Sequence, residues 1–244
     1  MYQNIYVKRT KTSSEIHLWD DKTGYSKFQY KPYAYVKSQS GTHRSLYGDK
    51  LKKVNFWMQE DLQAGRVFES DIPIETRTLV DMYPESEEPS VGHREVYFDI
   101  ECEVTDGFPD PNKAENKITA IALYDKTMDK YSCFVLGNVP NTDVVESFKS
   151  EEELLQRFYQ KYLEINPTIL SGWNIDGFDI PYLYNRTTRV LGHQFANALS
   201  PIGEVFYSEH KKRYKIAGVS CLDYLSLYKL FTYTQQSSYR LDFI

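Results

Sequence analysis

Two short acidic motifs lie about eighty residues apart in this sequence. Asp99 and Glu101 belong to the run Tyr-Phe-Asp-Ile-Glu at 97–101, and Asp179 lies between Phe178 and Ile180 in the second motif, at 172–182. An ionised carboxylate among apolar residues is costly unless something compensates its charge. Divalent cations provide such compensation, and carboxylate-held metal sites are typical of enzymes that hydrolyse phosphodiester bonds.

The first motif is predicted to lie on a β-strand. Residues two apart on a strand project from the same face, so Asp99 and Glu101 should point to one side and Phe98 and Ile100 to the other. Two close carboxylates repel each other, and a magnesium ion that accepts oxygens from both would remove the conflict. The alternative is a solvated edge strand with two exposed acids.

The second motif combines Gly-Trp-Asn with a short spacer and then Phe-Asp-Ile-Pro-Tyr. Taken alone, Asp179 is explained more simply as an N-cap that accepts hydrogen bonds from the first turn of a helix. Asn174 taken alone could be a turn residue, and Trp173 could belong to the core. It is the combination that favours a functional motif, with Asp179 as a third candidate metal ligand.

The elements around these motifs predict a mixed sheet with helices packed on it, an α/β (α+β) fold. One helix begins after a capping box at 150–153, a second has Pro181 in its first turn and ends at Gly192, and a third is capped by Asp223 and runs to about Phe231. The predicted strands are 95–101, 118–123, 131–136, 168–172 and 213–222.

The first ninety residues are rich in predicted strand and contain no catalytic constellation. An acidic segment bracketed by prolines, 83–90, is the best candidate for a linker. We therefore predict a small β-rich N-terminal domain at 1–90 and a second domain at 91–244. The predicted strands of the first domain are 5–7, 15–19, 25–30, 33–37 and 52–58.

Composition limits the kind of partner. The 244 residues are 41% hydrophobic and carry a net charge of −5, so nucleic-acid contact must be local or depend on metal ions and base stacking. The compact basic run at 211–213 is predicted to be a solvated turn, with a phosphate contact as the alternative. Three widely spaced cysteines form no zinc pattern, and no apolar run approaches a membrane span. We therefore predict a soluble, cytoplasmic protein with no membrane partner.

Both acidic motifs resemble those of family B (polymerase alpha-like) DNA polymerases, in particular the replicative polymerases of T-even-type phages. Residues 98–101 resemble the first exonuclease motif of the family, and 172–179 resemble the second. The segment 106–111 resembles a hairpin of the phage enzymes that touches the unpaired primer end. Residues 220–228 and 238–242 are also similar to the phage enzymes. The likeness is strong from about Glu95 onward and weaker before it.

The resemblance implies a ribonuclease H-like 3′–5′ exonuclease domain that removes mispaired nucleotides with two Mg²⁺ or Mn²⁺ ions. It implies that Asp99 bridges the metals, that Glu101 binds one metal and orients the attacking water, and that Asp179 holds the second metal. It also implies a single-stranded DNA 3′ end as the partner, contacted by Phe108, Asn174 and Phe178. An alternative for Phe108 is a hairpin-tip aromatic packed on the protein's own surface. For a phage-encoded protein the compartment would be the host cytoplasm.

One family feature is not found. The third exonuclease motif pairs a tyrosine with an essential aspartate on a later helix, whereas Tyr239 and Asp242 are spaced three apart rather than four, in a strand-like segment. The palm of the polymerase is also absent, and the chain ends in an apolar segment. We therefore expect a partial exonuclease domain, incomplete at its C-terminus and weak or inactive alone. The competing hypothesis is a non-catalytic module that binds nucleic acid or the remaining polymerase chain.

Overall fold

The computed structural model describes residues 1–9, 13–85, 87–105 and 107–244. The chain forms two compact units, Met1–Val91 and Gly92–Ile244, and each is described by itself. Ser86 of the predicted linker and Asp106 of the predicted hairpin lie outside the described residues. No helix in the described part of the chain is long and apolar enough to cross a lipid bilayer.

The first unit consists of two antiparallel sheets and two short helices. One sheet has the order β1-β2-β3 and the other has the order β5-β6-β4-β7. Ile16, Leu18, Ala34 and Leu51 are buried in this unit. The elements are β1 (Tyr2–Arg9), β2 (Ser14–Asp20), β3 (Gly24–Tyr30), β4 (Ala34–Lys37), β5 (His43–Arg44), β6 (Lys50–Val54), α1 (Gln59–Gln63), β7 (Val67–Phe68) and α2 (Ile74–Met82).

The second unit is built on a six-stranded mixed sheet with the order β11-β10-β9-β8-β12-β15. The two neighbours of β8 differ in direction, since β9 runs antiparallel to it and β12 runs parallel. A separate hairpin pairs β13 with β14. The strands are β8 (Glu95–Cys102), β9 (Ile118–Asp125), β10 (Lys130–Leu136), β11 (Val145–Phe148), β12 (Ile169–Gly172), β13 (Val205–Ser208), β14 (Arg213–Ile216) and β15 (Ser220–Asp223).

Helices pack on this sheet and complete its core, as the sequence predicts. The hydroxyl of Ser150 accepts a hydrogen bond from the Glu153 N–H and starts the longest helix. That helix ends at Asn166, which adopts the left-handed conformation (φ 49°). The helices are α3 (Glu151–Ile165), α4 (Asp179–Leu191), α5 (His193–Ala196) and α6 (Tyr224–Phe231), with a 3₁₀ turn at Asn197–Leu199.

The prediction of one strand over 213–222 is wrong. The chain forms β14 and β15 as separate strands in different sheets. Gly218 lies between them with a φ of 88°, a backbone conformation that interrupts an extended strand. The prediction of strand-like structure at 239–242 is also wrong, because residues 239–240 are irregular and residues 241–243 form an exposed turn.

The parallel strands β8 and β12 approach each other very closely at Gly172. A Cβ atom at this position would lie 2.5 Å from the Phe98 carbonyl oxygen and 2.6 Å from Cγ2 of Ile175. Glycine therefore allows the end of β12 to contact the backbone of β8. The chain then turns away into the second acidic motif.

Candidate active site

Strand β8 presents its two acidic side chains on one face. Asp99 and Glu101 are exposed, whereas Val96, Phe98 and Ile100 are buried on the opposite face. This arrangement follows from the two-residue period of a strand, because apolar residues alternate with Asp99 and Glu101. β8 is an interior strand of the sheet, so the alternative of a solvated edge strand is wrong.

Asp179 is buried against the same strand. It is the first residue of α4 and only 3% exposed, and its Oδ1 accepts a hydrogen bond from the Ile100 N–H at 3.1 Å. The N-cap of α4 is Phe178, so the interpretation of Asp179 as an ordinary N-cap is wrong. Its carboxylate is held by the backbone between Asp99 and Glu101, 79 residues away in sequence.

Burial and a neighbouring carboxylate raise the pKa values of two of the three acids, Asp179 and Asp99. Burial raises the pKa of Asp179 to about 7, and the charge of Asp99 adds to this effect, whereas the hydrogen bond from Ile100 opposes it. Burial also raises the pKa of Asp99, and the charge of Glu101 adds to it. No three His, Cys, Asp or Glu side chains in the described ranges already converge closely enough to hold a metal ion. The structure thus pairs Asp99 with each of the other two carboxylates but does not gather all three around one point.

The raised pKa of Asp179 predicts a pH-dependent stability. In the absence of divalent metal, native Asp179 holds its proton up to about pH 7, whereas in the unfolded chain it loses that proton near pH 4. The native state therefore binds more protons in this window, and the free energy of unfolding should fall as the pH rises from about 4 to 7. Urea unfolding in EDTA, followed across this range, checks the expected slope. An Asp179→Asn variant should flatten the slope, and an unchanged slope in that variant would contradict the assignment to Asp179.

The loop between β12 and α4 is held by a buried aspartate from a neighbouring strand. Asp223 ends β15, in register with Gly172. Its Oδ1 accepts hydrogen bonds from the Asn174 and Ser226 N–H groups, each at 3.2 Å, and its Oδ2 accepts from the Asp176 N–H at 3.1 Å. Asp223 therefore caps α6, as predicted, and also fixes the loop that leads to Asp179.

Asn174 provides the turn in this loop. It adopts a φ of 61°, and its carbonyl accepts hydrogen bonds from the Gly177 and Phe178 N–H groups, both at 3.0 Å. A Cβ atom at residue 177 would lie 2.6 Å from Oδ1 of Asn174, so any larger residue there would displace the Asn174 side chain. The structure therefore places Asn174 as a turn residue with an exposed side chain, and its contact with a nucleotide stays a prediction.

An ion pair closes the outer side of the loop. Nη1 of Arg213 lies 2.6 Å from Oδ2 of Asp176, while Oδ1 of Asp176 is buried and has no hydrogen-bond partner. Burial raises the pKa of Asp176, and Arg213 opposes that shift. Both residues, with Lys211 and Lys212 at the turn of the β13–β14 hairpin, line an open cavity of about 490 Å³.

Removal of the Asp223 carboxylate should loosen the loop that carries Asp179. We expect Asp223→Ala to lower the free energy of unfolding by about 2 kcal/mol, since it removes a helix cap and leaves two loop N–H groups without their acceptor. Chemical denaturation of the purified variant measures this loss. Asp143→Ala, which removes an exposed aspartate from the loop before β11, is the matched control and should change stability by less than about 0.5 kcal/mol. Equal stability of the two variants would contradict the anchoring role.

The aromatic candidates form a short row beside Asp179. Phe108 is 82% exposed, and its ring centroid lies 5.1 Å from that of Phe178, which in turn lies 5.3 Å from that of Tyr182. Phe108 therefore contacts the protein's own surface yet leaves most of its ring open to solvent. It belongs to the loop between the antiparallel strands β8 and β9, and its described neighbours, 107–117, are irregular rather than a hairpin of their own.

Sequence comparison identifies the family. Residues 50–244 match the family described as "DNA polymerase family B, exonuclease domain". The chain belongs to family B of the DNA polymerases. The mixed α/β fold of the second unit is accordingly that of a family B exonuclease domain of the ribonuclease H-like kind. The matched region begins within the first unit, so it also includes β6, β7 and the two helices of that unit.

Two similar proteins are phage polymerases of this family. The DNA-directed DNA polymerase of Escherichia phage RB69 is 35% identical over 181 residues, which cover 60% of this chain and 20% of that protein. The DNA-directed DNA polymerase of Enterobacteria phage T4 is 30% identical over 259 residues, which cover 88% of this chain and 29% of that protein. This chain thus spans less than a third of the length of these two relatives.

Sequence reasoning missed several residues that support the candidate site. Asp223 was recognised as a helix cap, but its bonds to the second acidic motif depend on the pairing of β12 with β15, which no local pattern specifies. The hydrogen bond from the Ile100 N–H could not be predicted either, because every residue except proline has a backbone N–H and the residue type does not indicate its partner. A face of α4 that binds the loop containing Phe108 was also missed, although its spacing of three and four residues could have indicated it.

Proposed function

We propose that this chain carries the proofreading 3′–5′ exonuclease site of a family B DNA polymerase, acting on single-stranded DNA 3′ ends. The observation that carries the proposal is the hydrogen bond from the Ile100 N–H of β8 to the buried Asp179 carboxylate. Ile100 lies in sequence between Asp99 and Glu101, whose carboxylates are exposed. Such a set of acids, two of them with raised pKa values, is typical of a site that requires counter-charge.

The residues present fit a pair of divalent metal ions. Mg²⁺ and Mn²⁺ prefer oxygen ligands, and all three acids supply carboxylate oxygens. Burial and the charge of Asp99 both disfavour the ionised form of Asp179, and a nearby cation would stabilise that form. When bound, two such ions would generate the attacking hydroxide and stabilise the leaving 3′ oxygen.

Each acidic side chain has a proposed role that suits its position. Asp99 interacts electrostatically with both other acids, so its carboxylate would help to hold both ions. Glu101 is exposed, and its carboxylate would hold one ion and accept a hydrogen bond that orients the attacking water. Asp179 would hold the second ion while its Oδ1 keeps the Ile100 N–H bonded.

The aromatic row would bind the terminal nucleotide. Phe108 is exposed and contacts Phe178, so the 3′-terminal base can stack on it. Base stacking on an aromatic ring depends little on net charge, which suits a chain with a net charge of −5. The exposed amide of Asn174 would hydrogen-bond the same nucleotide.

The relatives define the wider context that we propose. They are named DNA-directed DNA polymerases, so we infer that the site edits primer ends during DNA replication, together with the polypeptide that carries nucleotidyl transfer. That polypeptide is the proposed protein partner. Restored or increased hydrolysis after its addition would support this partnership.

A nuclease assay tests the proposed activity. The purified chain is incubated with 5′-labelled single-stranded DNA and Mn²⁺, beside Asp99→Ala and the control Asp143→Ala. We expect stepwise shortening from the 3′ end by the wild type and by Asp143→Ala, and none by Asp99→Ala. Equal shortening by Asp99→Ala would contradict the proposed site. DNA binding without hydrolysis in all three would favour the non-catalytic module, and the wild-type rate also tests the prediction that the chain alone is weakly active.

A further inference from the structure

One face of α4 is bound to the loop that follows Phe108. Four side chains on this face, spaced three or four residues apart, donate hydrogen bonds to backbone carbonyls of residues 111–116; we call them the α4 clamp. Tyr182 Oη donates to the Asn116 carbonyl at 2.9 Å, Asn185 Nδ2 to Pro111 at 2.9 Å, Arg186 Nη1 to Glu115 at 2.7 Å and Ala114 at 3.3 Å, and Arg189 Nη1 to Lys113 at 3.1 Å.

The clamped loop has a fixed backbone. Ala114 is fully buried, adopts a φ of 46°, and donates its N–H to the Asp110 carbonyl at 2.8 Å. These side-chain hydrogen bonds replace the backbone hydrogen bonds that the carbonyls would form in a strand or helix. The backbone on the C-terminal side of Phe108 is therefore tied to α4, and the Phe108 ring is tied to Phe178, one residue before α4.

The helix α4, which binds the Phe108 loop, begins at Asp179. Because α4 is a continuous helix of 13 residues, it holds the Asp179 carboxylate on β8 at its first residue and holds the Phe108 loop along its side. We propose that the α4 clamp is a positioning device that sets the distance between the base stacked on Phe108 and the acids that act on its phosphodiester bond. This inference rests on the proposed function and assigns Asn185 and Arg189 as positioning residues.

Substitution of Asn185 can test the positioning role separately from a general loss of stability. Its Nδ2 donates to the Pro111 carbonyl, and its Oδ1 accepts from the Tyr214 hydroxyl at 2.9 Å. Asn185→Leu removes both bonds with little change in size, whereas Tyr214→Phe removes only the bond that does not involve the loop. Tyr214→Phe is therefore the matched control. Arg186 is unsuitable because it also forms a buried ion pair with Glu151.

The experiment measures recognition of the terminal base. Binding of single-stranded oligonucleotides carrying 2-aminopurine or an abasic residue at the 3′ end is followed in EDTA, where no metal-dependent hydrolysis occurs. We expect the wild type and Tyr214→Phe to prefer the base over the abasic end. We expect Phe108→Ala to lose about 5- to 100-fold in affinity for the base-bearing end. Asn185→Leu should lose at least about threefold for that end, and neither variant should lose affinity for the abasic one.

A double variant decides whether the two residues act together. If the clamp works through Phe108, Phe108→Ala combined with Asn185→Leu should bind no more weakly than Phe108→Ala alone. Additive losses, or wild-type binding by Asn185→Leu, would overturn the clamp proposal while leaving the stacking site intact. Wild-type binding by Phe108→Ala would overturn both, and the hydrolysis assay with Asp99→Ala would still test the acidic site separately. If Asn185→Leu does not fold, Arg189→Met is measured in its place against the same outcomes.

Discussion

Asp179→Asn is expected to abolish metal-dependent hydrolysis and, in the absence of metal, to make the protein more stable at neutral pH. Asparagine has the same shape and keeps an oxygen that can accept the Ile100 N–H, so the fold should persist. It removes a buried charge that is repelled by Asp99. We expect a gain of about 2 kcal/mol in the free energy of unfolding at pH 8.

The same substitution removes an anionic ligand from the proposed metal site. Loss of metal-derived transition-state stabilisation is worth several kcal/mol, so the hydrolysis rate should fall roughly 10³-fold or more. Urea unfolding in EDTA and the nuclease assay in Mn²⁺ measure the two effects on one preparation. Asp143→Asn, an exposed aspartate, is the control and should change neither. A variant that loses activity together with stability would indicate a folding defect rather than loss of a ligand.

The second large effect concerns the ion pair between Glu151 and Arg186. Their side chains are 7% and 11% exposed and are joined by two hydrogen bonds, of 2.8 Å and 2.6 Å, while Glu151 Oε1 also accepts from the Ile118 N–H at 2.8 Å. Arg186→Leu would leave the carboxylate buried without its counter-charge. We expect it to lower the free energy of unfolding by about 3–5 kcal/mol.

A double substitution distinguishes the loss of the Glu151–Arg186 attraction from the cost of leaving the Glu151 charge buried without a partner. Glu151→Leu combined with Arg186→Leu removes both charges, so it should recover part of the stability lost in Arg186→Leu. Lys126→Met breaks a more exposed pair with Glu95 and should cost no more than about 1 kcal/mol. Denaturant unfolding of the four proteins measures these differences. A loss in Arg186→Leu as small as that in Lys126→Met would show that the buried pair contributes little.

Local patterns in the sequence predict much of the second unit, because strands and capped helices follow from nearby residues. The strand at 95–101, the helix after Ser150 and the cap at Asp223 are all found where the sequence places them. The separation of β14 from β15 depends on the backbone angle of Gly218, which glycine permits but does not require. The short strand β11 was missed because it contributes only four pairing residues at the sheet edge.

The site was less predictable than the fold, since its acids meet through long-range pairing. The common face of Asp99 and Glu101 follows from strand periodicity alone. The hydrogen bond from Ile100 to Asp179 and the bonds from the second motif to Asp223 each join residues that are 47–79 positions apart. Glu151 illustrates the same limit, because within a capping box it is indistinguishable from a solvated first-turn acid, yet it forms a buried ion pair.

The close approach at Gly172 has a consequence for engineering this domain. Its missing Cβ faces a carbonyl oxygen of the main chain, and the main chain, unlike a flexible side chain, cannot rotate aside to accommodate a methyl group. Even alanine would force the two parallel strands apart just before the acidic loop. A saturation library at codon 172 should therefore yield glycine alone among well-folded clones.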